Sequence, residues 1–180
     1  SGSFDDEIES MIQGIAPLLE DPITSRFRFG LIAVGTATNG ELRSPYMYST
    51  MVSNFVPADE FLEILEDARV IPSAGQEPTI DTMFWTMRLY PFSWRLTAQK
   101  VIITMTDEIA QTILGKHCDE INDIAIEDGF ELFVFALEPH HNTFLDCVNG
   151  QNRRLFTPAA NSETVFLQIR RIFDDLCIDR

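Results

Sequence analysis

The chain has 180 residues, 45% of them hydrophobic, and carries 28 acidic against 13 basic side chains for a formal net charge of −15. This length suits one domain with a sizeable core, and the negative charge disfavours nucleic acid and anionic membranes as partners because both are polyanionic. The same charge favours divalent cations and basic proteins as partners. No stretch approaches the roughly 20 apolar residues of a membrane-spanning helix.

The first part of the chain predicts a helix followed by strands. Apolar residues fall on one helical face between Ser3, a suitable N-cap, and Asp21-Pro22, where proline ends the helix. The run 27–34 has the aromatic and β-branched content of a strand, and 46–55 is predicted as an antiparallel edge strand.

The middle of the chain predicts two helices and then a short apolar strand. One helix opens at Pro57 and Asp59, and a second opens at Pro78 and keeps its apolar spacing until proline returns. The run 101–105 (VIITM) is β-branched and apolar. It predicts a strand that is buried on both faces of a parallel sheet.

The last part alternates helix and strand again. A helix over 116–128 stops at Gly129, a strand follows over 130–137, residues 154–156 offer a brief edge strand, and Asn161-Ser162 caps a final helix. Helices that separate short apolar strands imply parallel crossovers. We therefore predict an α/β fold: a three-layer, doubly wound, mostly parallel sheet with helices on both faces.

Asp107 follows the central apolar strand and has no reason to be there for core packing. In open α/β sheets, ligands collect beyond the carboxyl ends of the strands, so an acid at this position is well placed to hold a cation or a substrate. The alternative is that Asp107 is the N-cap of the next helix.

Several other chemistries lack their usual signals. The chain has no glycine-rich phosphate loop of the GxGxxG or GxxxxGK[ST] kind and no GxSxG elbow. Adjacent side chains on a helix or strand point apart, so the two adjacent pairs, His117 with Cys118 and His140 with His141, do not predict a transition-metal site.

Three cysteines are present, Cys118, Cys147 and Cys177. They are compatible with one disulfide plus a thiol or with three thiols, because their spacing alone does not decide. A packed or disulfide-bonded Cys147 is favoured over a nucleophilic one, since nothing identifies a histidine partner for it.

Oxygen-bearing side chains precede or follow predicted elements at four positions: Ser1, Ser3, Thr79 and Asp107. In this respect the chain resembles a von Willebrand factor type A domain, whose metal-ion-dependent adhesion site uses D-x-S-x-S, a later threonine and a later aspartate. Ser1 and Ser3 match the two serines, Thr79 in GQEPTID matches the threonine, and Asp107 in ITMTDE matches the late aspartate. The order of helices and strands extends the resemblance over residues 1–180 as one domain.

The resemblance implies a protein-binding or adhesion module of the cell surface or extracellular space, and not an enzyme. Its metal ligands would be Ser1, Ser3, Thr79 and Asp107. The cofactor would be Mg²⁺, with Mn²⁺ or Ca²⁺ as alternatives, and the partner would be a protein that presents a carboxylate. Glu77 and Glu108 flank the predicted ligands and are expected to contact the partner.

Four alternatives stay open. Glu77 rather than Thr79 could be the metal-facing oxygen, and Thr79 could be an ordinary helix N-cap. The chain could be a metal-free structural or assembly module with the same fold. It could also be a metal-assisted phosphatase that uses Asp107.

The chain departs from the family pattern at its start. The leading Asp of D-x-S-x-S, with the first strand of the sheet, would lie before Ser1. That strand would occupy the middle of the sheet, between 27–34 and 101–105. We therefore expect a strand from an upstream segment or from another chain to complete the sheet.

Overall fold

A computed structural model describes residues 5–32, 55–68, 77–89, 92–149, 155–156 and 162–178. These residues form six α-helices and three strands, with short 3₁₀ turns between some of them. The helices are α1 (Asp5–Leu19), α2 (Ala58–Ala68), α3 (Thr79–Arg88), α4 (Cys118–Asp128), α5 (His141–Phe144) and α6 (Ser162–Ile178), and the strands are β1 (Lys100–Thr106), β2 (Phe130–Ala136) and β3 (Leu155–Phe156). The predicted order of these elements is confirmed, including the left-handed Gly129 that ends α4 with φ 71°.

The three strands form one parallel sheet in the order β1-β2-β3. β1 and β2 pair along their whole length, from Lys100 opposite Phe130 to Thr106 opposite Ala136. β3 pairs with the other edge of β2, where Leu155 lies opposite Val134. The parallel arrangement agrees with the crossovers predicted from the sequence.

β2 carries the core of the molecule because its alternate residues pack on different helices. Leu132 and Val134 lie in one buried cluster with residues of α3 and α4, while Phe133 and Phe135 lie in a second cluster with residues of α1 and α6. All of β2 except Glu131 is buried. The period-2 alternation of a strand thus connects both clusters.

The prediction that β1 is buried on both faces is wrong, because its residues are half-buried except Thr106. The physical reason is its place in the sheet. Within the described part of the chain, β1 has a strand partner on one side only, which is β2. Val101, Ile103 and Met105 nevertheless pack against the α1 and α6 cluster, and Ile102 packs against the α3 and α4 cluster.

The segment predicted as a strand over 27–34 forms a single antiparallel bridge in its described portion, between Phe29 and Val56. Its aromatic residues pack on helices instead of entering the sheet. Phe27 stacks on Phe173 of α6 with ring centroids 4.9 Å apart, and Phe29 stacks on Phe61 of α2 at 5.0 Å. Residues 33, 34 and 46–54 of the two predicted strands lie outside the described residues.

One disulfide joins Cys118, the first residue of α4, to Cys147 in the turn after α5. Cys177 near the end of α6 is not disulfide-bonded. The arrangement is therefore the first of the two that the sequence left open, and it rules out Cys147 as a free nucleophile.

Candidate functional site

Asp107 lies directly after Thr106, the last residue of β1, as the sequence predicts. The next α-helix, α4, begins at Cys118, with His117 in the N-cap position. Asp107 is thus not the N-cap of that helix, and this alternative is wrong. Its side chain is half-buried at the carboxyl end of the strand, where ligands of parallel sheets bind.

Thr79 is the first residue of α3, and Pro78 occupies the N-cap position before it. The Thr79 side chain is 2% exposed, and its Oγ1 has no hydrogen-bond partner among the residues that the structure describes. An N-cap hydroxyl would accept a hydrogen bond from a backbone N–H, so the N-cap interpretation does not account for Thr79. A buried hydroxyl without a partner costs about 1–3 kcal/mol, and it calls for an explanation.

Glu77 connects Thr79 to the end of β1. Its backbone carbonyl accepts a hydrogen bond from the Thr79 N–H at 2.7 Å, and its Oε2 accepts one from the Thr106 hydroxyl at 3.2 Å. Burial raises the pKa of the Glu77 carboxyl, and the negative charge of Asp107 raises it further. Glu77 thus lies at the end of β1 within electrostatic reach of Asp107, and Thr79 follows two residues later at the start of α3.

Glu108 continues this neighbourhood on the next residue. Its backbone N–H donates to the Thr106 hydroxyl at 3.1 Å, and its carboxylate accepts from the Gln111 side-chain amide at 3.4 Å. Glu108 is half-buried, whereas Glu77 is buried. Ser1 and Ser3, the other two predicted ligands, lie outside the described residues.

The residues brought together offer only oxygen atoms that suit a hard cation. Mg²⁺, Mn²⁺ and Ca²⁺ prefer carboxylate, hydroxyl and carbonyl oxygens. Within the described ranges no group of three or more His, Cys, Asp and Glu side chains could hold a metal ion by itself. A cation at this position would therefore need hydroxyl oxygens such as that of Thr79 beside Asp107, and the unpartnered Thr79 oxygen fits that need.

Sequence reasoning missed two residues of this neighbourhood, Thr106 and Gln111. Thr106 is buried and joins Glu77 to Glu108 through its hydroxyl. The Gln111 Oε1 is buried without a hydrogen-bond partner in the described part of the chain. The sequence offered a signal only for Thr106, a hydroxyl residue at the end of the apolar strand; Gln111 lies in a loop without a motif.

The histidine pairs show no comparable assembly. The Nε2 atom of His141 lies 2.9 Å from the backbone oxygen of Ala136. His117 precedes Cys118, whose sulfur is in the disulfide. These contacts leave the oxygen-lined end of β1 as the candidate site.

No protein-family model matches the chain, and no curated protein matches it in sequence. Among solved structures it is similar to proximal thread matrix protein 1 from the mussel byssus, with a TM-score of 0.66, 13% identity and 96% of this chain covered. A second structure of that protein, described as having a zinc-occupied MIDAS motif, matches with a TM-score of 0.66 and 12% identity. The chain spans 42–43% of the length of these neighbours.

At this identity the likeness shows the fold alone: the chain has a fold similar to that of von Willebrand factor type A domains. None of the described helices is long and apolar enough to span a membrane.

Proposed function

We propose that this protein is a metal-ion-dependent protein-binding or adhesion module, with Ser1, Ser3, Thr79 and Asp107 as its cation ligands. The observation that carries the proposal is the Thr79 hydroxyl, which is buried, has no hydrogen-bond partner among the described residues, and lies two residues after Glu77, whose carboxyl bonds to Thr106 at the end of β1. A cation ligated there would give this oxygen the partner that it lacks. The zinc-occupied MIDAS motif of the structural neighbour supports a divalent cation in general.

Mg²⁺ is the proposed ion, with Mn²⁺ or Ca²⁺ as alternatives, because hydroxyl and carboxylate oxygens suit hard cations. The Ser1, Ser3 and Thr79 hydroxyls are neutral, and Asp107 supplies one negative charge. A divalent ion bound there would keep a net positive charge, which would attract a carboxylate from a partner protein. This retained charge favours binding of a partner over catalysis.

Two acids extend the proposed site. Glu108 is next to Asp107 and half-buried, so it can contact a partner directly. Glu77 is buried, so it would act on partner binding indirectly, through its contact with Thr106 at the end of β1.

We place the protein outside the cell or at its surface. Disulfides persist in oxidising compartments, and the bond between Cys118 and Cys147 supports that placement. The structural neighbour is a byssus matrix protein, which agrees with an adhesion or assembly role. The packing of alternate β2 residues on two sets of helices supports a three-layer, doubly wound arrangement of a single domain over 1–180.

We also propose that a further strand pairs with the edge of β1 that faces away from β2. Ile102 packs toward one helical cluster, and Val101, Ile103 and Met105 pack toward the other, yet all four are only half-buried. Helical clusters on both faces favour an inner position for β1, and a second strand partner would bury these four side chains further. Hydrogen exchange at the β1 amides tests the proposal. The alternate amides that do not face β2 should exchange rapidly in this chain alone and become protected when a segment that supplies the further strand is added.

The metal proposal is tested by calorimetric titration of Mg²⁺, Mn²⁺, Ca²⁺ and Zn²⁺ into the protein and two variants, Thr79→Val and Asp107→Ala. Each variant removes one oxygen ligand, and we expect the affinity to fall at least about 10-fold, the lower end of the loss seen when even an outer partner of a metal site is removed. Thr86→Val is the matched control, because Thr86 is a buried threonine of the same helix whose hydroxyl bonds to the Thr82 carbonyl at 2.7 Å.

Circular dichroism checks that each variant is folded. We expect Asp107→Ala to keep its fold, because a crevice carboxylate contributes little packing. Equal affinity in Asp107→Ala and the unchanged protein would refute the site. Absence of binding for all four ions would favour the metal-free assembly module. Phosphatase turnover that depends on Asp107 would instead favour the enzyme.

When a partner is available, EDTA should abolish its binding, and replacing the partner's acidic residue should have the same effect. Binding of equal strength in EDTA and in Mg²⁺ would contradict the adhesion mechanism.

A further inference from the structure

A further acid near the candidate site is buried more deeply than Thr79 and Asp107, the two proposed ligands that the structure describes. Asp81 is the third residue of α3 and is 0% exposed. Its Oδ1 accepts a hydrogen bond from the Thr112 hydroxyl at 2.7 Å. Its Oδ2 accepts two more, from the backbone N–H groups of Ile113 at 2.6 Å and Leu114 at 3.1 Å.

All three donors belong to the loop that connects Asp107 to α4. The loop is tied to α3 a second time, because the Ile80 N–H donates to the Gln111 carbonyl at 3.1 Å. It is also tied to α5, where the Thr143 hydroxyl oxygen accepts from the Ala110 N–H at 2.9 Å. A loop of this length without regular structure is ordinarily mobile, so these bonds have a clear ordering effect.

An acid in the first turn of a helix is commonly explained by the helix dipole. That explanation suits the exposed Asp59 in the first turn of α2. It does not suit Asp81, because burial of a carboxylate has a large desolvation cost. Hydrogen bonds from another segment offset that cost here. The hydrogen bonds point to a role in holding the loop.

We infer that Asp81 is a positioning residue that fixes the loop 108–117 against α3 and so holds Asp107 at a set distance from Thr79. The Asp81 contacts join the two segments that carry Thr79 and Asp107. Thr79 begins the helix that contains Asp81, and Asp107 directly precedes the loop that Asp81 binds. The consequence for cation binding rests on the function proposed above. The loop-ordering role does not depend on it.

The test combines hydrogen exchange and metal titration on Asp81→Ala, with Asp59→Ala as the control for a first-turn helix acid. In the metal-free protein, exchange at the Ile113 and Leu114 amides should become at least about 10-fold faster in Asp81→Ala, because both lose their acceptor. Mn²⁺ affinity should fall by about 10-fold, as for loss of an outer partner of a metal site. Asp59→Ala should change neither quantity.

Asp81→Asn serves as the conservative variant and decides the matter if Asp81→Ala does not fold. Its amide cannot accept at both ends, so partial loss of protection and a smaller loss of Mn²⁺ affinity are expected. Wild-type protection at both amides in a folded variant would overturn the loop-ordering role. Faster exchange with unchanged Mn²⁺ affinity would overturn the positioning role. If the unsubstituted protein binds none of the four ions, the proposed function fails while the exchange result still decides whether Asp81 orders the loop.

Discussion

Reduction of the bond between Cys118 and Cys147 should lower the stability of the protein by an amount that follows from its loop length. The two cysteines are separated by 29 residues in sequence. The chain-entropy relation for a loop of that size gives about 3.5 kcal/mol at 25 °C, because the crosslink restricts the unfolded chain. For a chain of this length that corresponds to a decrease in Tm of about 10 °C.

The measurement is urea and thermal unfolding, with and without a reductant, followed by circular dichroism. Mass spectrometry after alkylation confirms that both thiols have been released. Cys177→Ser is the control, since Cys177 is outside the disulfide and its replacement should leave the response to reductant unchanged. Cys118→Ala with Cys147→Ala should cost more than reduction does, because both positions are buried and the double variant also removes two packed sulfurs.

A Tm that stays constant while the thiols are shown to be released would refute the reasoning. It would mean that the reduced unfolded chain is already restricted between these positions, so that the crosslink removes no further entropy.

Two further predictions concern the packing of α1 on α6 and the ion pair between Asp21, which follows α1, and Arg170 of α6. Gly14→Ala should lower the free energy of unfolding by about 1 kcal/mol despite the helix propensity of alanine, because the new Cβ would lie 2.7 Å from the Ser162 carbonyl oxygen. Chemical denaturation measures this, and Gln13→Ala, on an exposed side of the same helix, should stay within about 0.5 kcal/mol of the unsubstituted protein. Asp21→Ala should lower the Tm at pH 7, since a backbone hydrogen bond and the charge of Arg170 hold the pKa of the Asp21 carboxyl below its usual value. A lowered pKa stabilises the folded state above the unfolded value of 3.8 and loses that effect as the pH falls, so the two proteins should converge in acid; a Tm difference that persists at pH 2 would contradict this.

Much of the fold could be predicted because the helices and buried strands carry their periodicity in sequence. The apolar stripe of α6 is an example: Val165, Ile169, Ile172, Phe173 and Leu176 are all buried. The run 27–34 shows the limit of this reasoning. Its aromatic residues have strand-like composition, but in the described portion they stack on Phe61 and Phe173 of two helices. Strand-like composition predicts that a residue is packed, but it does not predict whether the residue packs on a strand or on a helix.

The disulfide and the Asp81 contacts could not be predicted for a related reason. Each joins segments about 30 residues apart in sequence: Cys118 with Cys147, and Asp81 with Thr112 through Leu114. Their pairing depends on how the elements pack, which local patterns do not contain. In the sequence Asp81 has the appearance of an ordinary first-turn acid.

The electrostatics of the candidate site connect the fold to the proposed function. Parallel pairing brings the carboxyl ends of β1 and β2 to the same edge of the sheet, and Asp107 directly follows β1 at that edge. Glu77 lies just before α3, and the pKa of its carboxyl is raised by burial and, to a smaller extent, by the charge of Asp107. A buried carboxyl that faces a second acidic side chain is costly to ionise in a chain that already carries a net charge of −15. A bound divalent cation would turn that repulsion into attraction and would at the same time give the buried Thr79 hydroxyl a partner. The same features that are costs in the metal-free protein would therefore favour cation binding, and this is the physical reason that the end of β1 is a better candidate than any other described part of the chain.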